Sequence, residues 1–156
     1  MPASARVIQF AVSPLGATLD RQTVRWTGWS LVNFLFSQAT GQPYNAPLLL
    51  TATGAKTGKP RRVVLPFFPA GLAIAVVGSR GGMPTDPFWA RNLRRNPDAT
   101  VHVRRAARRV HARLARGEER AGLWESITAQ APIYLDYERR AARHREIPVF
   151  ILEDAS

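Results

Sequence analysis

Leu48-Leu49-Leu50-Thr51-Ala52-Thr53, Gly54-Ala55-Lys56-Thr57-Gly58-Lys59-Pro60-Arg61-Arg62 and Val63-Val64-Leu65-Pro66-Phe67-Phe68 follow one another as apolar run, basic turn and apolar run. Both flanking runs are short, apolar and rich in strand formers, so the chain is expected to reverse here inside a sheet. Gly54 and Gly58 allow positive φ and close backbone approach. Main-chain N–H groups can therefore converge with Lys56, Thr57, Lys59, Arg61 and Arg62 on one phosphate-sized anion. A plain basic turn that only reverses the chain is the competing reading. It is not a P-loop, because Pro60 and a strand pattern follow Lys59 where that motif requires Ser or Thr and a helix. Gly78-Ser79-Arg80-Gly81-Gly82 likewise matches neither the dinucleotide fingerprint nor a nucleophile elbow.

The same strand logic extends outward from this hairpin. Leu72 to Val77 is an apolar run placed to pair with residues 62–69. Residues 99–104 and 109–114 alternate apolar and polar positions around a turn expected at Ala106-Ala107, and Ile147 to Leu152 supplies a last strand. Helices are expected between prolines at 87–97, with Asp86 as N-cap, at Glu118 to Gln130 and at Tyr134 to Arg143. About six mainly antiparallel strands with inserted helices and no βαβ alternation make an α+β barrel.

Ahead of the barrel, residues 23–38 read as one amphipathic helix. Thr23, Thr27, Ser30, Asn33 and Ser37 form its polar stripe, with Trp26, Trp29, Phe34 and Phe36 among the apolar remainder. It is too short to span a bilayer. Packing on the barrel, a dimer interface and interfacial membrane contact all fit it. The chain is accordingly divided into an N-terminal extension, residues 1–40, and a barrel domain, residues 41–156.

Composition narrows the partners. The 156 residues contain no cysteine, and no secretory signal is read at residues 1–12, which fits a reducing, cytoplasmic setting. The net charge of +11 comes from 22 Lys and Arg against 11 Asp and Glu. It asks for anionic partners, but no nucleic-acid-binding motif accompanies it, so no specific nucleic acid is expected. A phosphate-bearing cofactor or an anionic membrane surface satisfies the charge equally well. With the turn at 106 and 107, His102 and His111 face each other, but no third ligand joins them and no metal site is expected.

The stretch 48–61, Gly78 to Gly82, Pro87-Phe88-Trp89 with Asn92-Leu93 and Asn96-Pro97, and Tyr134-Leu135-Asp136-Tyr137 hold an order and spacing, over about residues 47 to 153, that resembles the deazaflavin-dependent nitroreductase family, which includes quinone reductases. The resemblance implies a split β-barrel of the FMN-binding type and reduced coenzyme F420, a deazaflavin with a polyanionic phospholactyl-oligoglutamate tail, as cofactor. It implies hydride transfer to a small-molecule electron acceptor: a quinone, an enone or a nitroaromatic. Ala55, Lys56, Thr57, Arg61, Arg62, Val63, Val64, Leu65 and Pro66 are then expected to hold the cofactor, together with Val77, Gly78, Ser79, Arg80, Phe88, Trp89, Ala90, Arg91 and Asn92. Gly81-Gly82 would permit close backbone approach to it.

Ser79 and Tyr134 are the candidates to hydrogen-bond or protonate the acceptor oxygen, with Tyr137 shaping the pocket; a Tyr pair at i, i+3 is otherwise a packing stripe. Relatives that reduce bicyclic nitroimidazoles tend to carry a tyrosine where this chain has Ala131 and an aromatic hydroxyl where it has Phe67-Phe68. A wider, less polar pocket suited to a lipophilic quinone is implied. A homodimer and peripheral contact with the inner face of the cell membrane are further expectations. An FMN- or haem-binding split barrel and a non-enzymatic module for anionic lipid or nucleic acid are the alternatives.

Overall fold

The computed structural model describes residues 13–41 and 47–155. Helix α1, Pro14–Thr27, starts on the Ser13 side chain, which accepts a hydrogen bond from the Gly16 N–H at 3.1 Å, and stops at Gly28 in the left-handed conformation, φ 73°. Helix α2, Leu31–Thr40, is capped by Ser30, whose Oγ accepts the Asn33 N–H at 2.9 Å. The single helix expected over 23–38 is thus two. A glycine cap followed by a serine cap interrupts the polar stripe, since each satisfies helix-end groups that a continuous helix would not expose. Phe36 lies outside the described side chains.

Among the described residues, seven strands form one antiparallel sheet in the order β2-β1-β5-β6-β7-β4-β3, where the sequence suggests about six. They are β1 Pro47–Thr53, β2 Pro60–Pro66, β3 Phe68–Ala70, β4 Ala73–Val77, β5 Asp98–Val103, β6 Ala106–Leu114 and β7 Val149–Asp154. The expected pairing of 62–69 with 72–77 holds only for β3. The chain breaks its strand at Phe67, so β2 pairs with β1, Leu65 opposite Leu48, while Phe68 pairs with Ala75 on β4. The second hairpin turns two residues earlier than expected, through Arg104 and Arg105 at φ 46° and 75°, the positive pair of a two-residue hairpin loop. His111 consequently faces Asp98, at 2.8 Å, and His102 faces Ala107.

The sheet curls around two cores. On β7, Phe150 and Leu152 join a cluster with Leu48, Leu50, Val76 and Val101, whereas Val149 and Ile151 join one with Phe68, Val77 and Trp124. Strict alternation with both faces buried explains why these strands read as continuous apolar runs. Helix α3, Phe88–Arg95, closes the first core with Trp89 and Leu93. Burial of each such side chain contributes about 1.5–3 kcal/mol. Helices α4, Gly117–Gln130, and α5, Ile133–Ala141, cover the second core with Trp124, Ile127 and Tyr134. Pro87, not Asp86, occupies the N-cap of α3, and the Asp86 carboxylate accepts from Arg94 and Arg145 instead.

The amino-terminal helices rest on this barrel. Helix α1 lies against β1, β2 and β5 with Val24 buried, and a Cβ on Gly28 would stand 2.8 Å from the Arg104 Cα. The buried Asp20 carboxylate accepts from Ser30 Oγ at 2.8 and 2.9 Å and from the Val32 N–H at 3.2 Å, which fixes α2 to α1. The opposite face stays open: Leu15, Leu19, Trp26, Trp29, Leu31 and Phe34 are exposed. Among the described residues, no helix is long and apolar enough to cross a membrane.

Candidate active site

The basic turn is built to hold its shape. Gly54 N–H donates to the Lys59 carbonyl at 2.9 Å and Gly58 N–H, at φ +66°, to the Gly54 carbonyl at 2.8 Å. Thr57 Oγ1 accepts from the Lys59 N–H at 3.3 Å. The buried Asn92 carbonyl oxygen on α3 accepts the Ala55 N–H at 2.9 Å, so the turn is tied to the helix that plugs the barrel.

Between turn and helix lies a cleft of about 710 Å³. The described residues lining it include five cations, Lys56, Arg61, Arg62, Arg80 and Arg91, and no carboxylate. Ala55, Thr57 and Val63 line it on the turn side, and Phe88, Trp89 and Asn92 on the helix side. Phe88 is exposed, with the Arg91 guanidinium 4.5 Å from its ring centre and that of Arg80 at 5.9 Å. Unopposed cations beside an aromatic platform are a donor set for a phosphate or oligocarboxylate joined to a flat ring.

A second cleft, of about 310 Å³, adjoins the first. Arg80, Pro87 and Trp89 belong to both, so they form a common wall. Leu65, Pro66, Val77 and Ser79 line the second cleft from the sheet side, and Tyr134 and Tyr137 from α5. Tyr134 is buried edge-on between Phe68 and Tyr137, each ring centre 5.9 Å away. Burial pushes the phenol pKa of both tyrosines up, so each hydroxyl keeps its proton and remains a donor through the neutral range.

Three of the expected cofactor residues, Val64, Gly78 and Ala90, line neither cleft. Ala90 is sealed in the first core, and the Gly78 carbonyl is taken by Arg145. Asn33 and Ser37 of α2 line the second cleft beside the tyrosines, as does Ala131; the polar stripe was visible in the sequence, but nothing there said which wall it would meet. Arg145 also carried no signal, standing between a histidine and a glutamate in a charged run.

The two glycines of the Arg80–Gly82 turn have different surroundings. Gly82, at φ +79°, allows close approach to α5, where an added Cβ would meet the Tyr137 carbonyl at 2.6 Å; Gly81, at φ +62°, has nothing within 4 Å. Gly82→Ala is therefore expected to cost about 2 kcal/mol or more in urea unfolding, because backbone must move as well as φ. Gly81→Ala should cost about 1–2 kcal/mol, the conformational penalty alone.

Comparison with known proteins settles the family. The description F420H(2)-dependent quinone reductase matches residues 35–154. The chain belongs to the F420H(2)-dependent quinone reductase family. A relative from Mycobacterium tuberculosis named as an F420H(2)-dependent quinone reductase is 37% identical over 108 residues, 67% of this chain and 71% of that one. Two solved structures, each 37% identical over 69% of this chain with a TM-score of 0.62, are an F420-H2 dependent reductase and a domain-swapped dimer; they are covered over 93% and 79% of their lengths. The haem storage protein HutZ from Vibrio cholerae, 16% identical at a TM-score of 0.55 over 70% of this chain, shares the split-barrel fold. As a member of the quinone reductase family the chain is an oxidoreductase whose cofactor is reduced coenzyme F420.

Proposed function

We propose that the two joined clefts are the working site for reduction of a lipophilic quinone. The observation that carries this reading is the shared wall of Arg80, Pro87 and Trp89, which joins a carboxylate-free cationic cleft to an aromatic, hydroxyl-bearing one. Lys56, Arg61, Arg62 and Arg91 hold the anionic tail. Phe88, Trp89 and the Ala55–Asn92 tie shape the platform for the ring. When bound, reduced F420 supplies a hydride to the acceptor. The proton that completes hydroquinone formation has to reach the acceptor oxygen, and the Ser79 and Tyr134 hydroxyls are the donors this chain offers in the second cleft. Ala131 contributes only a methyl to that cleft, leaving room for a bulky acceptor.

Residues 1–40 are then an extension that completes the acceptor cleft of the barrel domain, 41–156, through Asn33 and Ser37. Its open apolar face, with Arg25 lying 5.6 Å from the Trp26 ring centre, suits shallow contact with an anionic membrane, where lipophilic quinones reside. The similar structure that is a domain-swapped dimer favours self-association of this chain as well. Deleting residues 1–40 tests the division of labour. No described residue of the extension lines the cationic cleft, so the truncated protein should keep F420 affinity within about threefold while losing most turnover of long-chain quinones and binding to anionic vesicles. Equal losses of cofactor affinity and turnover would refute this assignment.

A further inference from the structure

Arg145 stands between α5 and β7, and its side chain is only 10% exposed. Its Nε donates to the Met83 carbonyl at 2.9 Å and its Nη2 to the Ser79 carbonyl at 2.7 Å. Its Nη1 donates to the Gly78 carbonyl at 3.0 Å and to Asp86 Oδ1 at 2.9 Å. Those acceptors bracket the Arg80–Gly82 turn on both sides, so one planar fork closes the loop. Within the loop Arg80 sits at φ 45°, a conformation side chains rarely hold unless their surroundings over-determine it. Arg80 is also a residue that both clefts share.

We propose that Arg145 is a positioning residue of the cofactor site: it holds the Gly78–Asp86 loop so that Arg80 stands where the cationic cleft meets the acceptor cleft. This rests on reading that junction as the deazaflavin site. Arg145 faces the loop and not the clefts, so its effect on binding passes through Arg80. Lysine keeps the charge but offers a single ammonium, which cannot reach acceptors at both ends of the turn in the geometry of the fork.

The test is a four-way titration with oxidised F420 of the full chain, Arg145→Lys, Arg80→Ala and the double variant. Arg145→Lys, with net charge unchanged, is expected to weaken binding about tenfold, and Arg80→Ala by at least as much. The double variant should bind no worse than Arg80→Ala, because Arg80 is the residue of the 78–86 loop that lines the cationic cleft, and without its side chain the clamp positions nothing there. A merely structural role for Arg145 gives losses that multiply, and that result overturns the proposal, as does wild-type affinity in Arg145→Lys or in Arg80→Ala. Should Arg145→Lys not fold, Asp86→Ala removes one acceptor of the same clamp and must show a loss that vanishes in the Arg80→Ala background; otherwise the proposal falls. Lys56→Ala in the same series separates the two failures. If it too binds as wild type, the cofactor lies elsewhere and the reading of the clefts has failed, not the clamp alone.

Discussion

Tyr134→Phe is expected to slow quinone turnover about 10²-fold while F420 affinity stays within about twofold of wild type. Phenylalanine keeps the ring that packs against Phe68, Trp124 and Tyr137 and removes only the hydroxyl proposed as a proton donor in the second cleft, which Tyr134 lines. Alanine is the wrong comparison by itself, because a cavity at so buried a site costs about 3–5 kcal/mol of stability and confounds the rate. Ser79→Ala should act on the same oxygen, so the double variant should lose less than the sum of the two. Turnover by Tyr134→Phe at the wild-type rate would reduce the tyrosine to a wall of the pocket.

The pH dependence follows from burial. The folded phenol titrates above its unfolded value of about 10, so its contribution to stability is complete below that pH and is lost as pH rises beyond it. Activity should therefore show no loss from ionisation of Tyr134 below about pH 10, as a rate profile would record.

The second large effect is expected at the basic turn. Lys56→Ala and Arg61→Ala should each weaken F420 binding by about 1–3 kcal/mol, and the pair together by about 30-fold or more, because each would remove a charge-assisted contact at the proposed tail site. Both side chains are exposed, so thermal stability should hardly change. The loss should shrink as salt is raised, since the clefts are open to solvent and screening weakens the contacts that remain in wild type. Calorimetry at two salt concentrations reads both outcomes, and unchanged affinity in both single variants would place the tail elsewhere.

The barrel was legible because β1 and β7 are buried on both faces and so announce themselves as unbroken apolar runs, while β6 alternates buried and exposed positions. The basic turn was legible because so many cations around two glycines have few purposes. What misled was local chemistry outweighed by packing. A stripe from Thr23 to Ser37 continues across Gly28 and Ser30 without a change of period, yet two caps and the buried Asp20 carboxylate bend the chain there. Arg104 and Arg105 carry no turn signal, yet both take positive φ and make the hairpin turn; the Asp98–His111 pairing is the register that results. Arg145 was invisible for a different reason. Its partners are mainly backbone carbonyls some 60 residues away, and no side-chain pattern encodes a carbonyl.

The most direct test of the central claim is a titration of the purified wild-type protein with F420 at low and at high salt, with FMN as competitor. Saturable F420 binding that weakens as salt rises and is indifferent to FMN is the result this structure predicts. Binding of FMN in preference to F420, or F420 affinity that ignores salt, would contradict the assignment of the cationic cleft to the deazaflavin tail.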